Sequence, residues 1–411
     1  MDAGVSLGDF LRVAVENPKI ETLELIDAAR ALRSKPGFVC LEDGLPGPQS
    51  FSLLAAEPDL VMTGDISGWR SFEEELARRA SPSADLGIPT GAAIGWVGFD
   101  GRYRFGFYDQ PSIYHHGRGV WLANPPSTGN PGPTVFARPE WHLRISREEF
   151  VSMVARAKEY IAAGDIYQVC LAHAFESDFP GDPWGYYEAL RHHSPAPYSA
   201  FLDLAGCQVV SASPECFLRM NGRRIITRPI KGTRPRRMDQ QLDQRNAYDL
   251  LTSPKEIAEL VMITDLERND LGMVCDFGSV SVPELLKLES YQHVHHLVST
   301  VHGTLRDDVS QPAALRACFP GGSISGAPKK RALEIIAELE AHPRGVYTGA
   351  IGYFGYNGES QFSIAIRTAV FEGGRGSFHA GAGIVADSLP EAEWQETLDK
   401  AATLLLPGRE P

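Results

Sequence analysis

Alternation of apolar and polar positions predicts strands along much of the chain. Two short alternating runs, 36–43 and 91–100, come before residue 123. Side chains of a strand point to opposite faces in turn, so a period of two is typical of a half-buried strand. Longer segments repeat the pattern after residue 165, and we expect strands over 166–179, 207–220, 222–230, 347–356, 361–371 and 377–386.

A period of 3.6 residues runs through four other segments and predicts helices. Within 145–165, Phe150, Val154 and Ala157 recur on one helical face. Ser146 and Glu149 have the spacing of a capping box, in which each side chain bonds the backbone N–H of the other residue. The same period predicts helices over 253–269, 326–341 and 389–406.

The order of these segments indicates the fold class. Most predicted strands follow one another without an intervening helix, which favours antiparallel over doubly wound parallel sheets. We therefore expect a mixed α/β chain of the α+β type. Proline, glycine, serine and asparagine are dense over 123–134. This composition suggests a linker or long loop over 123–144, between an N-terminal segment, 1–122, and a larger unit, 145–405.

Charge and cysteine content limit the functional classes. The 411 residues carry a formal net charge of −13, so general affinity for nucleic acid is not expected. The six cysteines are scattered without a CxxC pair, which favours reduced thiols over a zinc or iron–sulfur site. No stretch approaches membrane-spanning length, and the first residues lack the pattern of a secretory signal. We expect a cytoplasmic protein that does not bind membranes.

Two predicted helices each carry a pair of acidic residues three positions apart. Glu256 and Glu259 form one pair, and Glu393 and Glu396 the other. Residues with this spacing share a helical face, and several oxygen ligands are what Mg²⁺ requires. Purely structural roles are the alternative: Glu256 could complete a helix cap, Glu393 could favour a helix N-terminus, and Glu396 could pair with the lysine four residues further on.

One lysine has an unusual setting. Lys231 lies beside an apolar residue and a Gly-Thr turn, with Arg228 and Arg234 on either side. Nearby cations favour loss of the lysine proton, and a neutral lysine is a nucleophile. The alternative is a solvated basic loop.

Two further features suggest a site for an anion. Arg367 is alone in an apolar segment, and a buried arginine needs either a protein acid or a bound carboxylate. Gly381 and Gly383 would let backbone N–H groups approach a carboxylate or phosphate. His296 belongs to a histidine-rich segment, where a buried structural role is the alternative to a role in the site.

Nine motifs occur together and in order between about residues 145 and 403. They are GDIYQV, SASPECF, RPIKGTRPR, KEIAELVMITDLERNDLG, HVHHLVS, FPGGSISGAPK, GVYTGAIGYF, SIAIRTAV and GAGIVADSLPEAEWQETLDKA. Together they resemble the chorismate-utilising enzymes, and residues 1–120 match that family more loosely. The resemblance implies an anthranilate synthase component I-like fold, with two mainly antiparallel β-sheets packed together and flanked by helices.

Lys231 distinguishes branches within that family. Anthranilate synthases look like Pro-Ile-Ala-Gly-Thr at this place, whereas a lysine resembles aminodeoxychorismate synthase component I. The segment LLAAEP stands where tryptophan-regulated anthranilate synthases carry Leu-Leu-Glu-Ser. The resemblance therefore implies conversion of chorismate and ammonia to 4-amino-4-deoxychorismate, for para-aminobenzoate and folate synthesis. Conversion to anthranilate and pyruvate is the alternative within the family, and a non-catalytic binding subunit is a distant one.

The resemblance also implies a role for each candidate residue. Glu259 and Glu396 would hold Mg²⁺ directly, and Glu256 and Glu393 would hold its waters. Lys231 would be the nucleophile and Glu215 the general acid, with His296 near the substrate. Gln168 stands where the water-adding branch has a lysine base, so water addition is disfavoured. The substrate carboxylates would contact Gly232, Thr233, Tyr347, Arg367, Gly381, Ala382 and Gly383.

The chain contains no glutaminase signature, with neither a cysteine-centred nucleophile elbow nor a His-x-Glu partner. Ammonia would then come from solution or from a separate glutamine amidotransferase subunit, and we expect a heterodimer with such a subunit.

Overall fold

A computed structural model describes residues 23–47, 49–82, 87–126, 134, 136–291 and 294–405. This part of the chain contains nine α-helices and two β-sheets. The helices are α1 (Leu23–Leu32), α2 (Arg70–Arg78), α3 (Arg147–Ala162), α4 (Pro183–His193), α5 (Gln240–Leu251), α6 (Pro254–Gly272), α7 (Gln311–Cys318), α8 (Lys329–Leu339) and α9 (Pro390–Leu405). None of these described helices is long and apolar enough to cross a membrane.

The first sheet has eleven antiparallel strands in the described residues. In spatial order they are β17 (Gly326–Ala327), β9 (Gln168–Asp178), β21 (Arg375–Ile384), β20 (Thr368–Glu372), β11 (Cys207–Ser213), β10 (Tyr198–Leu204), β1 (Val39–Glu42), β2 (Phe51–Ala55), β6 (Ser112–His115) and β7 (Val120–Ala123), with β8 (His142–Leu143) also pairing with β9.

The second sheet has ten strands in the same part of the chain, again antiparallel. Their order is β14 (Ile230–Pro235), β16 (Val294–Thr304), β13 (Arg224–Arg228), β12 (Cys216–Asn221), β19 (Glu359–Ile364), β18 (Ala350–Gly355), β4 (Ala92–Val97), β5 (Arg102–Tyr108) and β3 (Leu60–Asp65), with β15 (Ser281–Ser290) also pairing with β16.

The two sheets pack against each other through a shared apolar layer. Val39 and Leu53 from the first sheet form one buried cluster with Ile94 and Ile351 from the second. Burial of such side chains is the main favourable contribution to folding. The expected architecture, two antiparallel sheets flanked by helices, is therefore confirmed.

Strands from both sides of the predicted linker pair directly. β1 pairs with β10, and β4 pairs with β18. The N-terminal segment thus supplies strands to both sheets. Residues 127–133 and 135 lie outside the described residues, and the division into 1–122, 123–144 and 145–405 stays a prediction.

Two predicted strands were wrong as single elements. The segment 207–220 is β11 followed by β12, and 361–371 is β19 followed by β20. Each break carries the chain from one sheet to the other, because β11 and β20 are in the first sheet and β12 and β19 in the second. Apolar residues resume two positions after Pro214 and two positions after Arg367, so the sequence predicted one strand across each break. The segment 222–230 likewise divides into β13 and the start of β14.

The helix predictions are confirmed. Ser146 and Glu149 form the full capping box of α3, and Phe150 and Val154 are buried beneath it. At α6, the side chain of Ser253 accepts a hydrogen bond from the backbone N–H of Glu256, so the predicted cap is present as well. α9 packs on β21 of the first sheet, and α6 packs on β14 and β16 of the second. The two helices with acidic pairs therefore approach from different sheets.

Candidate active site

A cavity of about 570 Å³ brings most of the predicted site residues together. Ligand sites in proteins commonly fall in this size range. The predicted residues in its wall are Glu215, Lys231, Gly232, Thr233, Glu256, Glu259, His296, Tyr347, Arg367, Gly381, Ala382, Gly383 and Glu396. Gln168 and Glu393 do not line the cavity, but each is buried directly behind its wall.

A bulge in β14 exposes three successive residues to the cavity. The pairing of β14 with β16 shifts between Lys231 and Thr233, which adds one unpaired residue. That residue, Gly232, has φ +73°, a conformation that side chains disfavour. A Cβ at this position would lie 2.5 Å from Cδ1 of Leu250. Glycine is therefore required here both for the backbone angle and for the space.

The surroundings of Lys231 are acidic, contrary to the expectation from its neighbours in sequence. The guanidinium of Arg228 pairs with Glu289, and that of Arg234 lies 3.4 Å from Oε1 of Glu256. Burial alone would lower the pKa of Lys231, but nearby acidic groups, Glu259 among them, raise it. The expected lowering by flanking arginines was wrong, because both arginines have carboxylate partners of their own.

Glu215 lies at the crossing from β11 to β12. Its backbone carbonyl accepts a hydrogen bond from the N–H of Ile364, which joins this crossing to the end of β19. The side chain is buried in the cavity wall, and burial raises its pKa against the opposing effects of Ser323 and Lys231. A carboxyl group in this setting tends to keep its proton, as a general acid must.

The acidic pairs of α6 and α9 are held by lysines. Nζ of Lys231 lies 3.9 Å from Oε2 of Glu259. Nζ of Lys255 lies 3.9 Å from the other oxygen of Glu259 and 3.8 Å from Oε1 of Glu393. Lys400 donates to Oε1 of Glu396 at 2.7 Å, which is the i, i+4 pairing that the sequence left open.

Two carboxylate oxygens of these acids accept no hydrogen bond from the described residues. Oε1 of Glu259 and Oε2 of Glu393 are buried and have no hydrogen-bond partner among the described residues. Burial raises the pKa of both groups, while Lys400, together with Lys255 and Lys231, outweighs burial and lowers the pKa of Glu396. Unpaired buried carboxylate oxygens suit a hard divalent cation. However, no described group of three or more His, Cys, Asp or Glu side chains is close enough to hold an ion as arranged here, since lysines lie between them. The Mg²⁺ site stays a prediction.

Arg367 is a half-buried cation without an acidic partner among the described residues. Its guanidinium has no ion pair or hydrogen bond within the described ranges, and burial lowers its pKa. Its backbone has φ +49°, a strained angle for a residue with a side chain. Arg367 ends the crossing from β19 to β20. Of the two partners expected for it, a protein acid is not found in the described part, and a bound anion remains.

Tyr347 and the glycines of β21 form the neighbouring wall. Oη of Tyr347 lies 3.1 Å from the point that a Cβ on Gly381 would take. A Cβ on Gly383 would lie 3.2 Å from Nε2 of Gln168 and 3.7 Å from Nζ of Lys231. Because Gly381 and Gly383 have no side chains, the space beside Lys231 and Tyr347 stays open.

His296 is neutral and fixed by a hydroxyl. Its Nδ1 lies 3.0 Å from Oγ1 of Thr233 across the β14–β16 pair. Burial lowers its pKa to about 4, and the charge of Arg367 adds to the effect. It is buried, as the structural alternative required, and it also lines the cavity.

Comparison with known proteins identifies the family. Residues 95–406 match the family described as chorismate binding enzyme. The chain belongs to this family.

Relatives of this family with established names are similar over much of the chain. Anthranilate synthase component 1 of Thermus thermophilus is 49% identical over 280 residues, which cover 68% of this chain and 61% of that protein. Aminodeoxychorismate synthase of Streptomyces griseus is 47% identical over 275 residues, covering 65% of this chain and 38% of that protein. The chain thus spans less than two thirds of the length of these relatives.

A solved structure shows the same fold. The crystal structure of anthranilate synthase component I from Streptococcus pneumoniae aligns with a TM-score of 0.78 and 29% identity, covering 88% of this chain and 93% of that one. The anthranilate synthase component I-like fold implied by the motifs is confirmed for this member of the chorismate binding enzymes.

Several cavity residues of this family member had not been predicted. They are Cys170, Lys255, Ser323, Arg344, Thr348, His379 and Lys400. Lys255 and Lys400 had a signal in the sequence, because each lies four residues from a predicted metal-binding glutamate. Lys255 also directly precedes one. Within the FPGGSISGAPK motif, Gly322–Ile324 is a buried 3₁₀ turn, and Ser323 and Ile324 line the cavity.

Proposed function

We propose that this protein is the chorismate-converting component of an aminodeoxychorismate synthase. It would use chorismate and ammonia to make 4-amino-4-deoxychorismate through a covalent bond to Lys231. One observation carries the proposal. The amine of Lys231 lines a cavity that also presents a buried carboxyl, Glu215, whose pKa is raised by burial, and an arginine without an acidic partner in the described residues, Arg367.

The charges in the cavity suit a substrate with two carboxylates. Arg367 would take the carboxylate of the enolpyruvyl group, with Oη of Tyr347 as a second donor. The backbone N–H groups at Gly381, Ala382 and Gly383 belong to the same wall. The ring carboxylate would then face the bulge at Gly232 and Thr233, near the acidic pairs.

The covalent steps follow from this placement. The amine of Lys231 would attack ring carbon 2, the ring double bonds would shift, and the carbon-4 hydroxyl would leave as water with a proton from Glu215. Ammonia would then attack carbon 4, the double bonds would return, and the Lys231 amine would leave carbon 2. His296, held neutral beside Thr233, could hydrogen-bond the ring carboxylate.

Glu259 and Glu396 would hold Mg²⁺ directly. Glu256 and Glu393 would hold the water molecules bound to it. The unpaired oxygens of Glu259 and Glu393 support this assignment. A bound ion would polarise the ring carboxylate and offset the acidic charges that keep a proton on Lys231. Lys255 and Lys400 would have to leave these carboxylates first.

The ammonia supply would be a separate glutamine amidotransferase subunit. This proposal rests on the lack of a glutaminase signature in the chain. Mixing the protein with a purified amidotransferase of this class should make product formation glutamine-dependent.

A second candidate is anthranilate synthase component I, which the names of several relatives favour. One assay separates the two. The protein is given chorismate, MgCl₂ and an ammonium salt, and the products are resolved by mass. We expect aminodeoxychorismate without stoichiometric pyruvate, and no product with EDTA. Pyruvate with fluorescent anthranilate would support the second candidate, and unchanged turnover in EDTA would contradict the metal assignment.

A further inference from the structure

A second arginine, this one buried, lines the same cavity but cannot take a ligand. Arg344 uses its guanidinium entirely on protein acceptors. Nε and Nη2 donate to the carboxylate of Glu340 at 2.8 and 2.6 Å, and Nη2 also donates to the carbonyl of Cys170 at 2.8 Å. Nη1 donates to the carbonyl of Ile324 and to Oγ1 of Thr348, both at 3.1 Å. These are five bonds for five N–H groups.

These bonds tie together three separate segments of the cavity wall. Cys170 belongs to β9, Ile324 follows Ser323 in the buried turn beside Glu215, and Thr348 follows Tyr347. The carboxylate of Glu340 extends the link, since Oε1 also accepts from the backbone N–H of Ala172 on β9 at 2.8 Å. A single ion pair therefore joins all three segments.

The segment after Arg344 needs such support. Thr348 has φ +59°, a strained backbone angle that persists only where the surroundings hold it. Its hydroxyl donates to the carbonyl of Tyr347 at 2.6 Å while accepting from Arg344. The backbone of Tyr347 is therefore held by a hydroxyl that Arg344 holds in turn.

We propose that Arg344, paired with Glu340, is a positioning residue that sets the chorismate-binding wall through Thr348 and Tyr347. This inference rests on the proposed function, in which Arg367 and Tyr347 bind the substrate carboxylate. Arg367 would supply the charge that binds the substrate carboxylate. Arg344 would hold the cavity wall in the geometry that this binding requires.

A paired apolar substitution separates positioning from simple stabilisation. Removing one member of a buried ion pair leaves an unpaired charge, whereas replacing both with apolar side chains often preserves stability. We expect Arg344→Met combined with Glu340→Leu to keep a cooperative unfolding transition. Its KM for chorismate should rise at least tenfold, while its KM for ammonia stays at the wild-type value. A folded double variant with wild-type KM for chorismate would overturn the proposal.

Should the double variant fail to fold, Thr348→Val provides the second test. It removes only the hydroxyl that Arg344 holds, and we expect a severalfold rise in KM for chorismate. An unchanged KM would overturn the proposal equally. The matched control is Arg191→Met combined with Glu42→Leu, another Arg–Glu pair outside this cavity, in which Glu42 is buried and Arg191 half-buried. It should leave both KM values unchanged, and an equal rise in the control would reduce Arg344 to a general stabilising role.

The Arg367→Met variant, measured in the same assay, distinguishes failure of the proposed function from failure of the positioning proposal. If it binds chorismate normally, the placement of the substrate is wrong and both proposals fail. If it loses binding while the folded Arg344→Met/Glu340→Leu variant retains it, the positioning proposal alone fails.

Discussion

The pKa values of glutamates around the cavity shift in different directions because their immediate partners differ. Burial raises the pKa of Glu215 and Glu259, so these groups hold protons more readily than in water. Glu396 is only half-buried, and the ammonium of Lys400 at 2.7 Å, with the charges of Lys255 and Lys231, lowers its pKa against the effect of burial. Neighbouring acids with pKa values moved apart are typical of sites that transfer protons.

Glu267, deeper in α6, offers a clean test of burial at the scale of one residue. Burial raises its pKa from 4.5 to about 8, with nearby acids adding, and Oε2 accepts from Oγ1 of Thr227 at 2.6 Å. Because the pKa is higher in the folded chain, the group stabilises the fold in acid. That stability is lost as the pH rises from about 4.5 toward 8.

We predict that Glu267→Gln, which keeps the acceptor for Thr227 but cannot ionise, flattens this pH dependence. Between pH 5 and pH 8, the free energy of unfolding of the variant should rise relative to that of wild type, by on the order of 3 kcal/mol. Urea denaturation at several pH values measures it. Parallel curves for the two proteins would show that the carboxyl ionises freely in the folded state.

Two breaks in strands place the residues that matter most. Glu215 lies where the chain leaves β11 for β12, and Arg367 where it leaves β19 for β20. The hydroxyl of Ser213 donates to the carbonyl of Ile364 at 2.6 Å, so the two crossings support each other. A strand that changes sheets turns its side chains out of the packed layer, and both residues reach the cavity for this reason.

The bulge in β14 can be tested with a matched pair of glycines. Gly232 and Gly222 both have positive φ, +73° and +55°, but only at Gly232 would a Cβ meet another atom closely. We predict that Gly222→Ala costs about 1 kcal/mol from strain alone, and Gly232→Ala about 2–4 kcal/mol from strain and overlap. Only Gly232→Ala should lower kcat, because it moves Lys231. Equal effects in unfolding and turnover assays would mean that the bulge is not required.

Local pattern was enough to predict four of the nine helices in the described residues and many of the strands. The capping box of Ser146 and Glu149 and the acidic pair on α6 follow from spacing within a few residues. The partners of Lys231 did not follow from its neighbours, since Glu259 and Glu396 come from helices on different sheets. Arg344 had one signal in the sequence, its i, i+4 spacing from Glu340, while its other acceptors, two backbone carbonyls and a hydroxyl, are brought together only by the fold.

At the scale of the whole molecule, neither sheet is complete without the N-terminal segment. Without it β10 would lose its partner β1, and β18 would lose β4. The layer between the sheets would lose Val39, Leu53 and Ile94. Unpaired edges and an exposed apolar layer both disfavour a stable fold.

We therefore predict that a fragment of residues 145–411 does not unfold cooperatively and binds a hydrophobic dye. The full chain, under the same conditions, should show a single urea transition and little dye binding. A sharp transition for the fragment, with a midpoint near that of the full chain, would instead establish 145–405 as an independent domain.

The most direct test of the central claim is the mass of the intact protein after incubation with chorismate and Mg²⁺ without ammonia. Attack by Lys231 with loss of the hydroxyl adds the mass of chorismate less one water, and without ammonia the adduct has no second nucleophile to release it. We predict this gain on the peptide containing Lys231, its disappearance on adding an ammonium salt, and none in Lys231→Ala. Wild-type protein without any adduct, together with Lys231→Ala that makes aminodeoxychorismate at the normal rate, would contradict the account.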